Sequence, residues 1–318
     1  MNKSTFTDKQ GKRSRVPLPP ELLNLPTIEA EPWLQVDPDP AVILEGPAFD
    51  RSGHLYITSV LGGTIFKVTS GRKISTIFHN KVVMPTGCAF HQDRRLFVVC
   101  ISGELISMNP DGSNVTYIKT RYLGKPKSLN DLVFDSNGNL YVTDFTGIAS
   151  NPTGGVYRFS DDFTTVQPIL ENLAAANGIS MSPEGNVLWV GETGRNAVIR
   201  IELLEDGITL HPFTGACYAY YSTGAPGGPD SNKVDAEGNL YQCIIYHGRA
   251  VVLGPYGIPI ANVIIPGRDD GKHLITPNLA FKPHTSEAYI LASGEGGAWI
   301  YKFKGLAKGL TLFSHQGA

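Results

Sequence analysis

Short runs of alternating apolar and polar residues, separated by tight turns, recur along the chain from about residue 42 to its end. Six segments share one arrangement, in which two such runs are joined by a short polar turn. They are EGPAFDRSGHLYITS from Glu45, TGCAFHQDRRLFVVC from Thr86, NDLVFDSNGNLYVTD from Asn130, NGISMSPEGNVLWVG from Asn177, DSNKVDAEGNLYQCI from Asp230 and PNLAFKPHTSEAYIL from Pro277. Alternation with a period of two predicts β-strands, so each segment is expected to form a hairpin.

The apolar residue before each turn marks the period of this repeat. The six marker residues, which are 41, 44, 47, 53 and 47 residues apart, are Phe49, Phe90, Phe134, Met181, Val234 and Phe281. Two further strand-like runs follow each hairpin, among them ITLHPF in the fourth repeat and LTLFSH at the C-terminus. This spacing is the period of a four-stranded propeller blade. The sequence therefore predicts an all-β fold, a six-bladed β-propeller with four antiparallel strands per blade.

The repeat also divides the chain. Residues 1–40 lie outside it and are predicted to form an N-terminal arm and a ring-closing segment, while residues 41–318 form the propeller. The stretch TIEAEPWLQV at 27–36 has the alternation of a strand and is expected to pair with the last blade. The first twenty or so residues are expected to be a flexible arm.

Composition narrows the functional classes. The 35 Gly and 22 Pro agree with many turns, and a hydrophobic fraction of 42% supplies a core. A net charge of −2 argues against a nucleic-acid or membrane surface as a partner. No apolar run has the length of a signal peptide or a membrane span, which predicts a cytoplasmic protein. The four cysteines form no CxxC pair and are expected to be buried free thiols. The oligomeric state stays open.

Register within the repeat brings distant residues together. The innermost strand of every blade lines the central channel, so equivalent positions meet at its axis. One such set of equivalent positions lies four residues before the marker residue of each repeat. It consists of Glu45, Thr86, Asn130, Asn177, Asp230 and Pro277. Buried oxygen-bearing side chains with two carboxylates favour a hard divalent cation. The alternative is that these side chains only bond to strand ends and channel water.

Several of these segments resemble a known family. Glu45-Gly46-Pro47, Asn130-Asp131, Asn177-Gly178 and Asp230 are similar to the metal-site strands of the senescence marker protein, gluconolactonase and luciferin-regenerating-enzyme family. Its members are six-bladed propellers that hydrolyse lactones or organophosphate esters at an axial divalent metal. From about residue 27 onward, the ordered motifs, including TGIASNPTGGVYRFS, LWVGETGRN and IPGRDDGKH, resemble the bacterial drug-responsive lactonase branch.

The resemblance implies a role for each residue of the site. Glu45, Asn177 and Asp230 match the direct metal ligands, and Ser231 matches a further ligand of the drug-responsive branch. Asn130 matches a position that holds the metal or orients the substrate. Asp230 also matches the general acid or base, although Glu45 or water activated by the cation could take that part. Ca²⁺ is the favoured cation, with Mg²⁺, Mn²⁺ or Zn²⁺ as alternatives.

The predicted function is that of a metal-dependent lactonase, a hydrolase that opens a small-molecule cyclic ester. Sugar-acid lactonases of the family have Arg where Ser128 stands, and the segment around Cys100 to Gly112 is shorter than the insertion that contributes to a second calcium site in the drug-responsive branch. These differences argue against a sugar lactone and a second metal. A phosphotriesterase-like hydrolase and a non-enzymatic ligand-binding propeller remain alternatives. His247 and His273 are expected in loops that could border the mouth of the site.

Overall fold

Six blades, each with four antiparallel strands, are arranged around a channel in the computed structural model, which describes residues 14–121 and 124–316. The first three blades follow one another along the chain. Blade 1 contains β3 (Leu44–Phe49), β4 (Leu55–Ser59), β5 (Thr64–Val68) and β6 (Ile74–His79). Blade 2 contains β7 (Pro85–Phe90), β8 (Leu96–Cys100), β9 (Leu105–Met108) and β10 (Thr116–Ile118). Blade 3 contains β11 (Leu129–Phe134), β12 (Leu140–Asp144), β13 (Gly154–Phe159) and β14 (Val166–Leu173).

The remaining blades complete the ring. Blade 4 contains β15 (Ala176–Met181), β16 (Val187–Glu192), β17 (Ala197–Glu202) and β18 (Ala216–Tyr221). Blade 5 contains β19 (Gly228–Val234), β20 (Leu240–Ile245), β21 (Arg249–Leu253) and β22 (Pro259–Ile264). Blade 6 takes β23 (Leu279–Phe281), β24 (Glu287–Ala292) and β25 (Ala298–Lys304) from the C-terminal part of the chain. Short 3₁₀ helices cover Pro20–Leu22, Thr193–Arg195, Arg268–Asp270 and Phe313–His315.

The N-terminal segment closes the ring. Strand β2 (Glu31–Asp37) pairs antiparallel with β25 and is the outermost strand of blade 6, in agreement with the pairing predicted for TIEAEPWLQV. Strand β1 (Thr27–Glu29) pairs parallel with β22 and adds a fifth strand to blade 5. Both ends of the chain therefore contribute to blade 6. The first thirteen residues of the predicted arm lie outside the described residues.

Hydrophobic burial lies between the blades. Each of six apolar clusters joins two neighbouring sheets, and the cluster between blades 2 and 3, for example, packs Phe97 and Val99 against Val142 and Phe159. This explains why the second strands, such as β8 and β12, are buried on both faces and contain near-continuous apolar runs. Among residues 14–121 and 124–316, no helix is long and apolar enough to cross a membrane.

The sequence-based prediction is wrong for two of the outer strands. The run ITLHPF (208–213) forms a loop, because Pro212 lacks the N–H group that strand pairing requires. The outer strand of blade 4 is instead β18, which is rich in tyrosine, a residue that favours strands. The run LTLFSH (310–315) ends in a 3₁₀ helix because β2 already occupies the outer edge of blade 6. The cysteines are free as predicted, but Cys217 is exposed because it lies on this outer strand β18.

Candidate functional site

A β-bulge interrupts five of the six innermost strands at the same level of the channel. The pairing with the second strand shifts by one residue between Glu45 and Ala48, Pro85 and Cys88, Leu129 and Leu132, Ala176 and Ile179, and Pro229 and Asn232. A bulge ends the regular alternation and turns side chains in a new direction. The sequence-predicted site residues lie in or directly beside these bulges, at the mouth where the innermost strands begin.

Two glycines allow the innermost strands to approach closely at this level. A Cβ atom on Gly46, which has a φ of +54°, would lie 2.0 Å from the backbone oxygen of Thr86 in the next blade. A Cβ atom on Gly178 would lie 2.4 Å from the Cα atom of Ser231. Only glycine fits such contacts. The glycine after the site position thus brings the side chains of neighbouring blades toward one another.

Glu45 is buried, with 5% of its surface exposed, and has two defined hydrogen bonds. Its Oε2 atom accepts from the backbone N–H of Gly46 at 2.7 Å and from Nδ2 of Asn278 at 2.8 Å. Burial raises the pKa of Glu45 to about 7. The hydrogen bond from Asn278 lowers this pKa in part, whereas the negative charge of Asp131 raises it further. Without a nearby cation, this carboxylate is therefore costly to ionise.

Asp230 is the second buried carboxylate at the mouth, with 4% of its surface exposed. Burial raises its pKa well above the usual value, and the charge of Glu45 raises it further, while the amide of Asn177 favours the ionised form. The charge of Glu45 acts on Asp230, in agreement with the position of both carboxylates at the start of an innermost strand. Two such groups in a low-dielectric channel favour a shared cation.

Three unpartnered oxygen atoms complete the donor set. Oδ1 of Asn130, Oδ1 of Asn177 and Oγ of Ser231 are buried and have no hydrogen-bond partner among the described residues. Nδ2 of Asn177 donates to Oγ1 of Thr193 at 3.1 Å, which leaves its oxygen free to face the channel. Buried polar atoms are normally paired, so the chemistry of these oxygens fits an electropositive ligand such as a cation. With the two carboxylates they form an all-oxygen set suited to Ca²⁺.

The donor set differs from a conventional metal cluster. Within residues 14–121 and 124–316, no group of three or more His, Cys, Asp or Glu side chains is arranged to hold a metal. A cation at this mouth would therefore depend on amide and hydroxyl oxygens together with Glu45 and Asp230. Oxygen ligands of this kind suit a hard cation better than zinc, which prefers nitrogen and sulfur.

Sequence reasoning missed Asn278. The repeat register points to Pro277 in blade 6, yet the functional side chain is the next residue, whose Nδ2 atom orients Glu45 and whose Oδ1 atom accepts from the backbone N–H of Leu279 at 2.8 Å. The regular pairing of β23 starts only at Leu279, and between this residue and the bridge of Ile275 with Ser293 the innermost strand again has one extra residue, over a longer stretch than in the other five blades. An amide directly after Pro277 was the available signal.

An ion pair below the site was also missed. Nζ of Lys233 lies 3.0 Å from Oδ2 of Asp131, and the other carboxylate oxygen accepts from the backbone N–H of Leu132 at 2.9 Å. Asp131 is therefore neutralised by blade 5 across the channel, which leaves Glu45 and Asp230 as the carboxylates that can serve a cation. Both partners lie next to predicted site positions, but a sequence pattern does not show which charges pair.

The two loop histidines have different surroundings. His247 follows β20 and lies beside Gly224, which belongs to the loop that leads to β19 at the same mouth. A Cβ atom added to Gly224 would be 3.2 Å from the Nε2 atom of His247. Burial and the charges of Arg249 and Arg268 lower the pKa of His247 to about 4, so it is neutral at pH 7. His273 packs its ring against aromatic side chains of blade 6. Neither histidine joins the oxygen donors described above.

Sequence comparisons give the chain a consistent set of relatives. The family model described as the SMP-30/Gluconolactonase/LRE-like region matches residues 43–274. A protein named Lactonase drp35 from Staphylococcus saprophyticus is 40% identical over 310 residues, which are 95% of this chain and 94% of the relative. Another Lactonase drp35, from Staphylococcus haemolyticus, is 38% identical over 325 residues, covering 99% of this chain and 98% of the relative.

A solved structure has the same fold. The calcium-binding protein regucalcin from Agrobacterium tumefaciens superposes with a TM-score of 0.72 and 20% identity, covering 90% of this chain and 98% of that chain. Identity at this level supports the propeller architecture alone.

Proposed function

The chain belongs to the SMP-30/gluconolactonase/LRE-like family, and from this premise we propose that it is a metal-dependent hydrolase that opens a lactone at the mouth of its central channel. The proposal depends on one observation above all. Two buried carboxylates, Glu45 and Asp230, and three buried oxygens that have no hydrogen-bond partner in the described part of the chain all belong to the first residues of innermost strands. The relatives that share about 40% of the sequence along nearly the whole chain are named lactonases, which supports the reaction class.

The residues that would hold the cation are Glu45, Asn130, Asn177, Asp230 and Ser231. A divalent cation bound there supplies a Lewis acid for the ester carbonyl and lowers the pKa of a water molecule. Ca²⁺ is the proposed ion because the donors are all oxygen and include two carboxylates.

Proton transfer is assigned to Asp230. Its carboxylate lies on the innermost strand of blade 5 at the mouth of the channel, where it can accept a proton from an attacking water. After ring opening, the same carboxyl returns the proton to the alkoxide of the leaving group. In a lactone the alkoxide stays attached to the product, so the product is a single hydroxy acid.

Two amides position the other groups. The Nδ2 atom of Asn130 can donate to the substrate, and its Oδ1 atom would be available to hold a cation. Asn278 holds Oε2 of Glu45 at 2.8 Å and so fixes which oxygen of this carboxylate faces the channel. A hydrogen bond from a second residue to a metal-binding carboxylate orients the ligand and tunes its affinity.

Ser128 bears on the choice of lactone. Its Oγ atom donates to the backbone oxygen of Ile101 at 2.9 Å, and its backbone N–H donates to Asp144 at 3.0 Å. This side chain is short and already bonded, so it offers no cationic group to a polyhydroxylated ring. We therefore propose an aliphatic or aromatic lactone in preference to a sugar lactone.

Hydrolysis of a small panel tests the proposal. Dihydrocoumarin, a sugar lactone and a phosphotriester are assayed with the wild type, the chelated protein and Asp230→Asn, with Asp206→Asn as a matched exposed control. We expect kcat/KM for dihydrocoumarin to fall about a hundredfold to ten-thousandfold in Asp230→Asn and to be lost on chelation, with the control unchanged. Activity that survives both changes, or preference for the phosphotriester, contradicts the proposal.

A further inference from the structure

The channel opens into a second chamber at the end opposite the candidate metal site. The six marker residues, one from each blade, line it together with the C-terminal segment 310–316. These markers are Phe49, Phe90, Phe134, Met181, Val234 and Phe281. The chamber has a volume of about 170 Å³. An apolar cavity of about 150 Å³ in another protein stays dry and binds benzene, so this chamber has the size for a single aromatic ring.

The residues one position before the markers face the channel and make the roof of the chamber. Five of these residues have small or medium-sized side chains, which leave the channel open, and the sixth is Lys233. The six residues are Ala48, Ala89, Val133, Ser180, Lys233 and Ala280. The roof is therefore apolar except for one ammonium group and one hydroxyl group, which lie on adjacent blades.

Lys233 has hydrogen-bonding capacity to spare. Among the described residues, its Nζ atom bonds only to Asp131, at 3.0 Å, although an ammonium group carries three hydrogens. Its side chain keeps 20% of its surface exposed inside the channel. The charge is already balanced by Asp131, so a second anion close to this pair would be repelled by that carboxylate. A neutral acceptor meets no such penalty.

Ser180 supplies the complementary group. Its Oγ atom donates to Oδ1 of Asn232, the residue before Lys233, and keeps its lone pairs available to accept. A hydroxyl on a bound ring could thus accept from Lys233 and donate to Ser180. A carbonyl or a halogen could satisfy only the first of these.

The C-terminal segment forms the floor. Nε of Arg51 donates to the backbone oxygen of Ser314 at 2.6 Å, and the ring of Phe313 lies 6.0 Å from that of Phe134, measured between centroids. The C-terminal segment thus lines the end of the chamber away from the candidate metal site, and Lys233 of the Asp131–Lys233 pair lines the other end.

We propose that this chamber is a binding site for a neutral single-ring phenol, whose ring packs among the marker aromatics and whose hydroxyl bonds to Lys233 and Ser180. The site is distinct from the lactone site, and its occupation requires neither calcium nor hydrolysis.

Nuclear magnetic resonance of methionine methyl groups tests the site directly. The chain has four methionines; Met181 lines the chamber, whereas Met84 immediately precedes β7 at the opposite mouth. Phenol and toluene, which have the same shape, are titrated into the full-length protein with ¹³C-labelled methionine methyls, with and without a chelator. We expect phenol to shift the Met181 signal and leave Met84 in place, with or without the chelator.

The affinities separate the two parts of the proposal. Loss of a hydrogen bond to a charged donor corresponds to roughly tenfold weaker binding or more, so toluene should bind at least tenfold more weakly than phenol. The double variant Asp131→Asn with Lys233→Met, which removes the pair without leaving an unpaired carboxylate, should abolish that preference. Ala280→Leu fills the chamber and should weaken both ligands at least tenfold, whereas Ala41→Leu, at an exposed position, should not.

Each result decides the question. A phenol-dependent shift of Met84 instead of Met181, toluene binding as tightly as phenol, or unchanged binding in Ala280→Leu would overturn the proposal. Because the first of these measurements needs only the wild type, a variant that fails to fold leaves the test intact. Loss of hydrolysis in Asp230→Asn has no bearing on it, so failure of the lactonase assignment and failure of the chamber assignment are distinguishable.

Discussion

Ionisation of Glu45 should make the chelated protein less stable as pH rises. Burial raises the pKa of this carboxyl from 4.5 to about 7, so the folded state binds the proton more tightly than the unfolded chain. A raised folded pKa gives stability that is complete below pH 4.5 and lost as pH rises to 7. At 1.36 kcal/mol for each pKa unit, the loss is about 3 kcal/mol across this window.

The isosteric variant Glu45→Gln removes this effect, together with the influence of the Glu45 charge on Asp230. Gln keeps an oxygen that accepts from Asn278 and Gly46 but has no charge to bury. His247 has the opposite pH dependence, because burial lowers its pKa to about 4 and its contribution is lost as pH falls below 6.5. This contribution is present in both proteins and cancels in their difference. In EDTA, the free energy of unfolding of Glu45→Gln minus that of the wild type should therefore rise by up to about 3 kcal/mol between pH 4.5 and 7.

Urea denaturation at a series of pH values measures this difference. Saturating calcium should reverse its sign near pH 7, because the cation binds the folded wild type and the variant has lost a ligand. A difference that stays flat with pH in EDTA would show that Glu45 is not held in a costly ionised form. A difference unaffected by calcium would separate Glu45 from any cation site.

Two further substitutions test how the mouth is built. Asn278→Leu removes the amide that holds Glu45, and we expect calcium affinity, measured by calorimetry, to fall about tenfold to a hundredfold; an unchanged affinity would show that Glu45 needs no such partner. Gly46→Ala places a Cβ atom 2.0 Å from the oxygen of Thr86, whereas Gly53→Ala at a similar φ meets no atom within 4 Å. Gly53→Ala should cost about 1 to 2 kcal/mol in thermal unfolding, and Gly46→Ala clearly more; equal losses would refute the close approach.

Much of the architecture could be predicted because each sequence repeat forms the same pattern of strand pairing in its own blade. The marker residues gave the period, and the same register placed Glu45 and Asp230 at one mouth of the channel. Position in a repeat is a local property, and six copies of it reinforce one another. This is why the innermost strands were found more reliably than any other part of the fold.

The errors occur where non-local pairing decides. The run LTLFSH has the alternation of a strand, but β2 from the other end of the chain takes the edge it would need. Pro277 was chosen by register, yet Asn278 reaches Glu45 because blade 6 starts its regular pairing later. The Asp131–Lys233 pair joins blades 3 and 5, and sequence alone does not show which lysine faces which carboxylate.

The shared blade 6 has a consequence for how the protein is made. Strand β2 is synthesised before β3 to β24, but its partner β25 is synthesised after them. Until β24 and β25 have been synthesised, Trp33 has no Tyr289 to pack against, and β2 has no strand to pair with. Contacts between such distant parts of a chain also form slowly. The nascent polypeptide is thus vulnerable to aggregation through β2 until β25 has been synthesised.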